Sequence, residues 1–373
     1  MVGYMKPRTI VVSILVAFAG LGLLFLYFRQ GTIRLQKTDV PSGSVSKVVH
    51  TVSTPQKVLE NKSKRDGGKE IVDMSVVERN IYFQELLKES PEFLFEQWLN
   101  LIVNKTDVLR SQIIADALVS NLHDLNGGDD SVYSGLRANL SNTESALETR
   151  LAVTQLLDDI ATTNSLRILL DQATSESNPQ IKQALKFALS AIGTHRWGNR
   201  FHEELSPQLE EALPVFENDP ELFQAIMHSL AQVGAPTGIE TMYRYLNGMA
   251  TVPTRLPGQL DDPRSSLLGD FRQIQNPNAV LALKRHLATQ STSDLELVVT
   301  GEALMSVATS ESTEVILEWA AVRRDYVGAI VEKWLSPLNE LDRLKSTIQD
   351  FTLNQAFVNE QNRQAVRRVF ESK

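Results

Sequence analysis

Apolar residues recur three and four positions apart through most of residues 109 to 321, with polar positions between them, the mark of one buried face on an α-helix. The clearest stretches begin at Asn178-Pro179-Gln180-Ile181 and Asp219-Pro220-Glu221-Leu222. They run through Leu185, Leu189 and Ile192-Gly193, and through Ile226, Leu230 and Val233-Gly234, before turning into a second helix. Weaker copies hold Leu118, Leu122 and Leu125; Val153, Leu157 and Ile160; Leu267, Phe271 and Ile274; and Leu304 and Val307. The anchors Leu125, Ile160, Ile192, Val233, Ile274 and Val307 step by 35, 32, 41, 41 and 33 residues, periods that belong to stacked helix pairs. A stack grows by adding layers rather than separate cores, so an all-α solenoid of helical hairpins in one long domain is expected.

Proline placement supports the same helices without reference to hydrophobicity. Seven of the 14 prolines follow Ser, Asn or Asp: Pro91, Pro179, Pro207, Pro220, Pro263, Pro277 and Pro337. The preceding side chain accepts from an orphan N–H of a first turn, and proline at the first helical position gives up a donor that had no partner. Each pair is therefore expected to start a helix. Residues 76–108, with Phe95, Trp98, Leu99 and Ile102 on one stripe, are expected to cap one end of repeats spanning 109–324. Residues 325–373 cap the other, where Arg363, Arg367, Arg368 and Lys373 suit the negative end of a last helix.

Ahead of the array the pattern changes. Thr9 to Phe28 is a run of 20 uncharged residues, about 30 Å as a helix, preceded by Lys6 and Arg8 and edged by Tyr4, Tyr27, Phe28 and Arg29. It reads as a single transmembrane anchor (9–28) after a short cytoplasmic stub (1–8). A signal peptide cleaved near Ala17-Phe18-Ala19 is the competing expectation. Residues 29–75, rich in Ser, Thr, Val, Lys and Gly and lacking any sustained period, read as a flexible linker that is about 35–40 Å end to end. Lys62, Lys64, Arg65 and Lys69 within it read as ordinary solvated linker charge.

Composition narrows the chemistry. The chain has no cysteine, which removes disulfides, thiolate metal sites and cysteine nucleophiles. The net charge of -8 is unevenly spread: residues 1–70 are basic, so the remainder carries about -15. An acidic array repels phosphate backbones, and no nucleic-acid partner is expected.

The two clear copies, Asn178-Pro179-x-Ile181-x3-Leu185-x2-Ala188-Leu189-x2-Ile192-Gly193 and Asp219-Pro220-x-Leu222-x3-Ile226-x2-Ser229-Leu230-x2-Val233-Gly234, resemble the first helix of HEAT-like repeats of the bacterial type. The second continues through Ala235-Pro236-Thr237-Gly238-Ile239 to Met242, Tyr243 and Leu246, as a family second helix would. The resemblance covers about 210 residues and implies an α-solenoid that binds proteins. Some relatives are phycobilin lyases, but the matched positions are packing positions, so no catalytic residue carries over.

His195-Arg196-Trp197-Gly198-Asn199-Arg200-Phe201-His202 interrupts the array after Ile192-Gly193. Two arginines flanking a tryptophan compose a binding hot spot, and Arg196, Trp197 and Arg200 are the candidate partner-binding residues. As a metal set, His195, His202, Glu203 and Glu204 lack the i, i+4 spacing of H-E-x-x-H. Thr251 to Asp262, with Pro253, Pro257 and Gly258, reads as the longest inter-helix loop and a second candidate for a binding face. Asp124 to Asp130 superficially resembles a calcium loop but lacks glycine at the sixth position and the closing glutamate, and reads as a helix-ending turn. No G-x-S-x-G, phosphate loop or histidine cluster is present.

The expectation is a noncatalytic protein-binding scaffold, held at the inner membrane by residues 9–28 with the array in the periplasm, and using no cofactor. The alternatives are an envelope enzyme or enzyme subunit with a site on the concave face, and a cytoplasm-facing adaptor.

Overall fold

The computed structural model describes residues 71–124, 129–196, 200–248, 263–288 and 294–371. The chain divides into two compact units, residues 1–82 and 83–373. In the first, the described residues form a 3-10 turn at Ile71–Asp73 and open helix α1 (Val76–Leu86). Its start is a reciprocal cap: the Glu78 N–H donates to Ser75 Oγ at 3.3 Å, and the Ser75 N–H donates to Glu78 Oε2 at 2.7 Å.

In the second unit the described elements are all helices. Its helices are α2 (Pro91–Asn104), α3 (Val108–Asp124), α4 (Asp130–Ser141), α5 (Leu147–Ile160), α6 (Thr163–Ser175), α7 (Pro179–Ala191), α8 (Ser206–Ala212) and α9 (Pro220–Val233). There follow α10 (Pro236–Leu246), α11 (Pro263–Phe271), α12 (Val280–Ala288), α13 (Asp294–Val307), α14 (Ser310–Val322), α15 (Gly328–Asn339), α16 (Asp342–Asn354) and α17 (Glu360–Glu371). They make two layers. Each odd-numbered helix from α3 to α17 packs on the next odd one, each even-numbered helix from α2 to α16 on the next even one, and neighbours in sequence close the hairpins between layers. This is the all-α solenoid of stacked hairpins that the periodicity predicts.

The apolar stripes line the seam between layers. From the odd helices come Leu118, Leu122, Val153, Leu157, Leu185, Leu189, Ile226 and Leu230, and from the even helices Leu136, Leu140, Leu166, Leu169, Ile239 and Ile316, all buried. Full burial of each such side chain is worth about 1.5–3 kcal/mol, which no single helix could gain alone. The anchors Ile160, Ile192, Val233, Ile274 and Val307 are buried as well, while Leu125 lies outside the described residues. The residue after an anchor takes the left-handed conformation at Ala161 (φ 49°), Gly234 (φ 60°) and Ala308 (φ 51°), ending its helix and turning the chain toward the second layer.

Six of the seven proline pairs begin helical segments, with Ser90, Asn178, Asp219 and Asn276 accepting first-turn N–H groups. Ser336-Pro337 departs from the expectation, since Pro337 sits inside the last turn of α15. Trp334, Leu335 and Leu338 are buried on either side of it, and their packing carries the helix through the proline. Asp129 accepts from the N–H groups of Ser131 and Val132, so the end of the Asp124–Asp130 segment starts α4, and residues 125–128 lie outside the described residues.

The expected anchor, residues 9–28, and the linker as far as residue 70 also lie outside the described residues. Among the described residues no helix is long and apolar enough to cross a membrane, and the single-pass inner-membrane and periplasmic expectation is withdrawn on that finding. The physical reason is plain in α3, the longest of them at 17 residues. It reaches only about 26 Å and carries Arg110, Gln112, Asp116, Asn121 and His123, a polar face that hydrocarbon would not accept.

Candidate functional site

Asp158 and Asp159 occupy the last turn of α5, just ahead of the buried anchor Ile160. One repeat further along the same layer, α7 ends at Ala191 and the chain tightens into a 3-10 turn at Ile192–Thr194 before His195. That tightening follows from the contact with α9. A Cβ at Gly193 would collide with the carbonyl oxygen of Ser229, so only glycine lets the end of α7 lie this close. The Gly193 N–H donates to Ser229 Oγ at 3.2 Å, and that hydroxyl in turn donates to the Leu189 carbonyl. The turn so placed directs His195 back across α5, where its Nε2 lies 3.0 Å from Asp158 Oδ1.

Arg196 fastens the same turn from inside. Its guanidinium donates to the carbonyl oxygens of Gly193 and His195, both at 2.8 Å, and of Gln232 at 3.2 Å, and lies over the Phe201 ring with 3.9 Å to the centroid. Arg200 is placed differently, with its side chain 60% exposed and a 3.3 Å ion pair to Glu204. Trp197 and the Thr251–Asp262 loop lie outside the described residues.

The electrostatics around Asp159 are unfavourable to charge. Burial pushes its carboxyl up to about 7, helped by the neighbouring Asp158 and by Asp116 of α3, and opposed by His195 and by a hydrogen bond from Gln155. Asp116 is raised too, by burial, against a hydrogen bond from Gln112. The two glutamines repeat one device on successive odd helices: Gln112 Nε2 donates to Asp116 Oδ1, and Gln155 Nε2 to Asp159 Oδ1, each at 3.1 Å across one helical turn. Asp158, Asp159 and His195 each offer an atom within 4.8 Å of the others and are a set that could hold a metal ion.

Polar side chains continue along the odd layer. Gln232 Nε2 donates to His228 Nε2 at 2.8 Å, which leaves Nδ1–H to donate to Asp270 Oδ1 at 2.9 Å. Beyond it, Glu302 of α13 accepts from Arg272 Nε at 2.8 Å and from Lys333 Nζ of α15 at 2.9 Å. Burial alone would raise the Glu302 carboxyl, but these two cations outweigh it and hold it below its usual range.

Of the four residues weighed from sequence as a metal set, His202 and Glu204 pair with each other while Glu203 and His195 turn to other partners. His202 Nδ1 lies 3.3 Å from Glu204 Oε1, Glu203 accepts from Asn276 and Asn278, and His195 turns to Asp158. No local pattern points to the carboxylates beside His195, because Asp158 and Asp159 lie 37 and 36 residues before it. The signal was present in the repeat register, Asp158 two positions before the anchor Ile160 and His195 three after the anchor Ile192.

No family model matches the chain, and no curated protein matches it. Among solved structures, it is similar to human deoxyhypusine hydroxylase in complex with glycerol, at 13% identity and a TM-score of 0.26, over 68% of this chain and 99% of that one. It is also similar to the complex of CpcE and CpcF of phycocyanin lyase from Nostoc sp. PCC7120, at 13% identity and a TM-score of 0.28, over 76% of this chain and 95% of that one. Both are HEAT-like helical repeat proteins, and likeness at this level reaches no further than the fold. Both names are nonetheless those of enzymes, and the expectation that this chain is noncatalytic is withdrawn. The physical reason is that a missing short motif says nothing of side chains gathered from separate repeats, as Asp158, Asp159 and His195 are.

Proposed function

We propose that this chain is a helical-repeat protein that binds a protein partner along its odd-numbered helices. One observation carries the proposal. A row of ionisable side chains runs from Asp158 and His195 through His228, Asp270, Arg272 and Glu302 to Lys333, crossing successive repeats on one layer. Such a row suits an extended polypeptide that pairs with several repeats in turn, as solenoid surfaces do. In this proposal Trp197 and Arg200 are contact residues, and Arg196 holds the turn that precedes them in the chain.

A catalytic role also has a specific observation behind it, two carboxylates and an imidazole drawn together from two repeats, the set that general acid–base or metal-assisted chemistry uses.

The partner proposal is tested by photo-crosslinking residues placed singly on each layer of the full chain. Arg272 and Lys333 serve the odd layer, and the exposed Leu281 and Leu353 the even one. A common partner crosslinked from the odd positions alone is the expected result. Equal crosslinking from both layers, or none from either, overturns it.

A further inference from the structure

We propose that Asp158, Asp159 and His195 form a divalent-cation site, taking a first-row transition ion such as Zn2+ or Mn2+ through two carboxylate oxygens and one imidazole nitrogen. The three donor atoms lie within 4.8 Å of one another. An ion bound at about 2.0–2.2 Å needs its ligands about 3–4 Å apart, so modest side-chain rotation completes the geometry. Mixed oxygen and nitrogen donors favour such an ion over Mg2+ or Ca2+, which take oxygen.

Each donor is positioned by something other than the ion. Asp158 is fixed by burial in the last turn of α5, with its side chain 7% exposed. Asp159 is steadied by the 3.1 Å hydrogen bond from Gln155. His195 is held by the 3-10 turn that Gly193 permits and that Arg196 clasps through the His195 carbonyl. Hydrogen bonds that orient ligands in this way are the usual outer shell of a metal site. The His195 ring is 24% exposed, which leaves a path from solvent. Three protein ligands also leave at least one coordination position for water or a substrate atom.

A simple ion pair between His195 and Asp158 would need no second carboxylate. Placing Asp159 beside Asp158 in a half-buried position costs energy that a cation recovers and a hydrogen bond to one imidazole does not. The site does not depend on the partner proposal.

The test uses the full chain, purified after chelator treatment and titrated calorimetrically with Zn2+ and then Mn2+. One-to-one binding of at least one ion is expected. Asp159→Asn and His195→Ala should each weaken it tenfold or more while melting like wild type in the presence of chelator. Wild-type binding absent at millimolar metal, or undiminished in both folded variants, overturns the proposal. Should a variant fail to fold, the wild type decides: bound ion should protect His195, but not the comparably exposed His228, from diethyl pyrocarbonate modification read by mass spectrometry. Equal modification of His195 with and without ion overturns it.

Discussion

The backbone N–H of Gly193, in the 3-10 turn that follows α7, donates to the side-chain hydroxyl of Ser229 on α9 at 3.2 Å, binding one repeat to the next where neither carries a bulky side chain. Gly193→Ala places a methyl group against the Ser229 carbonyl, and backbone cannot step aside as a flexible side chain would. The expected loss is about 1–3 kcal/mol by chemical denaturation, the range of overpacking in a close-packed interior. The same change should shift His195 away from Asp158, visible in the His195 imidazole resonances. An alanine variant as stable as wild type would mean that the two helices do not pack this tightly.

Leu189, fully buried on α7, is one turn from Lys186, which reaches out to Glu221 at 3.0 Å. Leu189→Ala should destabilise the stack by about 2–5 kcal/mol. Lys186→Ala should cost less than about 1 kcal/mol, because an ion pair whose carboxylate is solvated contributes little. Similar small effects at both positions would show the helix facing the other way.

Arg150 and Glu176 form an ion pair with side chains only 5% and 3% exposed. Arg150 Nε also donates to the Leu140 carbonyl at 2.7 Å, and Glu176 accepts from the Asn178 N–H at 2.7 Å, so the pair joins α4, α5, α6 and the start of α7. Arg150→Met strands a buried carboxylate and should cost about 3–5 kcal/mol. Adding Glu176→Gln should recover part of that loss, and a double-mutant cycle with no coupling would contradict the contact.

Glu204 sets an acid limb of stability. Burial favours its neutral form, but hydrogen bonds from His202 and from its own backbone N–H, with the charge of Arg200, prevail and bring its carboxyl down to about 2 from an ordinary 4.5. A depressed carboxylate stabilises the fold above its unfolded value and loses that contribution as pH falls through the folded one. Wild type should therefore exceed Glu204→Gln in stability at neutral pH, with the gap closing between pH 4.5 and about 2. Parallel stability curves across that interval would count against the assignment.

Residues spaced by the helical period are legible in the sequence alone. Leu185, Leu189 and Ile192 repeat as Ile226, Leu230 and Val233, and the capping residues Asn178 and Asp219 act within a single turn of chain. Ser336-Pro337 shows the limit of such local signals, because burial of Trp334 and Leu338 outweighed the proline. Arg196 shows another. Its composition marks it as a surface contact, yet its guanidinium turns inward to three carbonyl oxygens, and only the course of the turn after α7 decides that.

Sequence alone determined that this protein is built of amphipathic helices in hairpins of roughly constant period, since hydrophobic spacing and helix caps are properties of contiguous residues. Tertiary structure decided which hairpins touch, and with that which polar side chains meet. Asp158, Asp159 and His195 come together because α5 and α7 stack in one register and Gly193 allows α7 to end against α9. Proximity between residues 37 apart depends on how two helices slide along each other, which is settled by side-chain packing across the seam and is written in no local pattern.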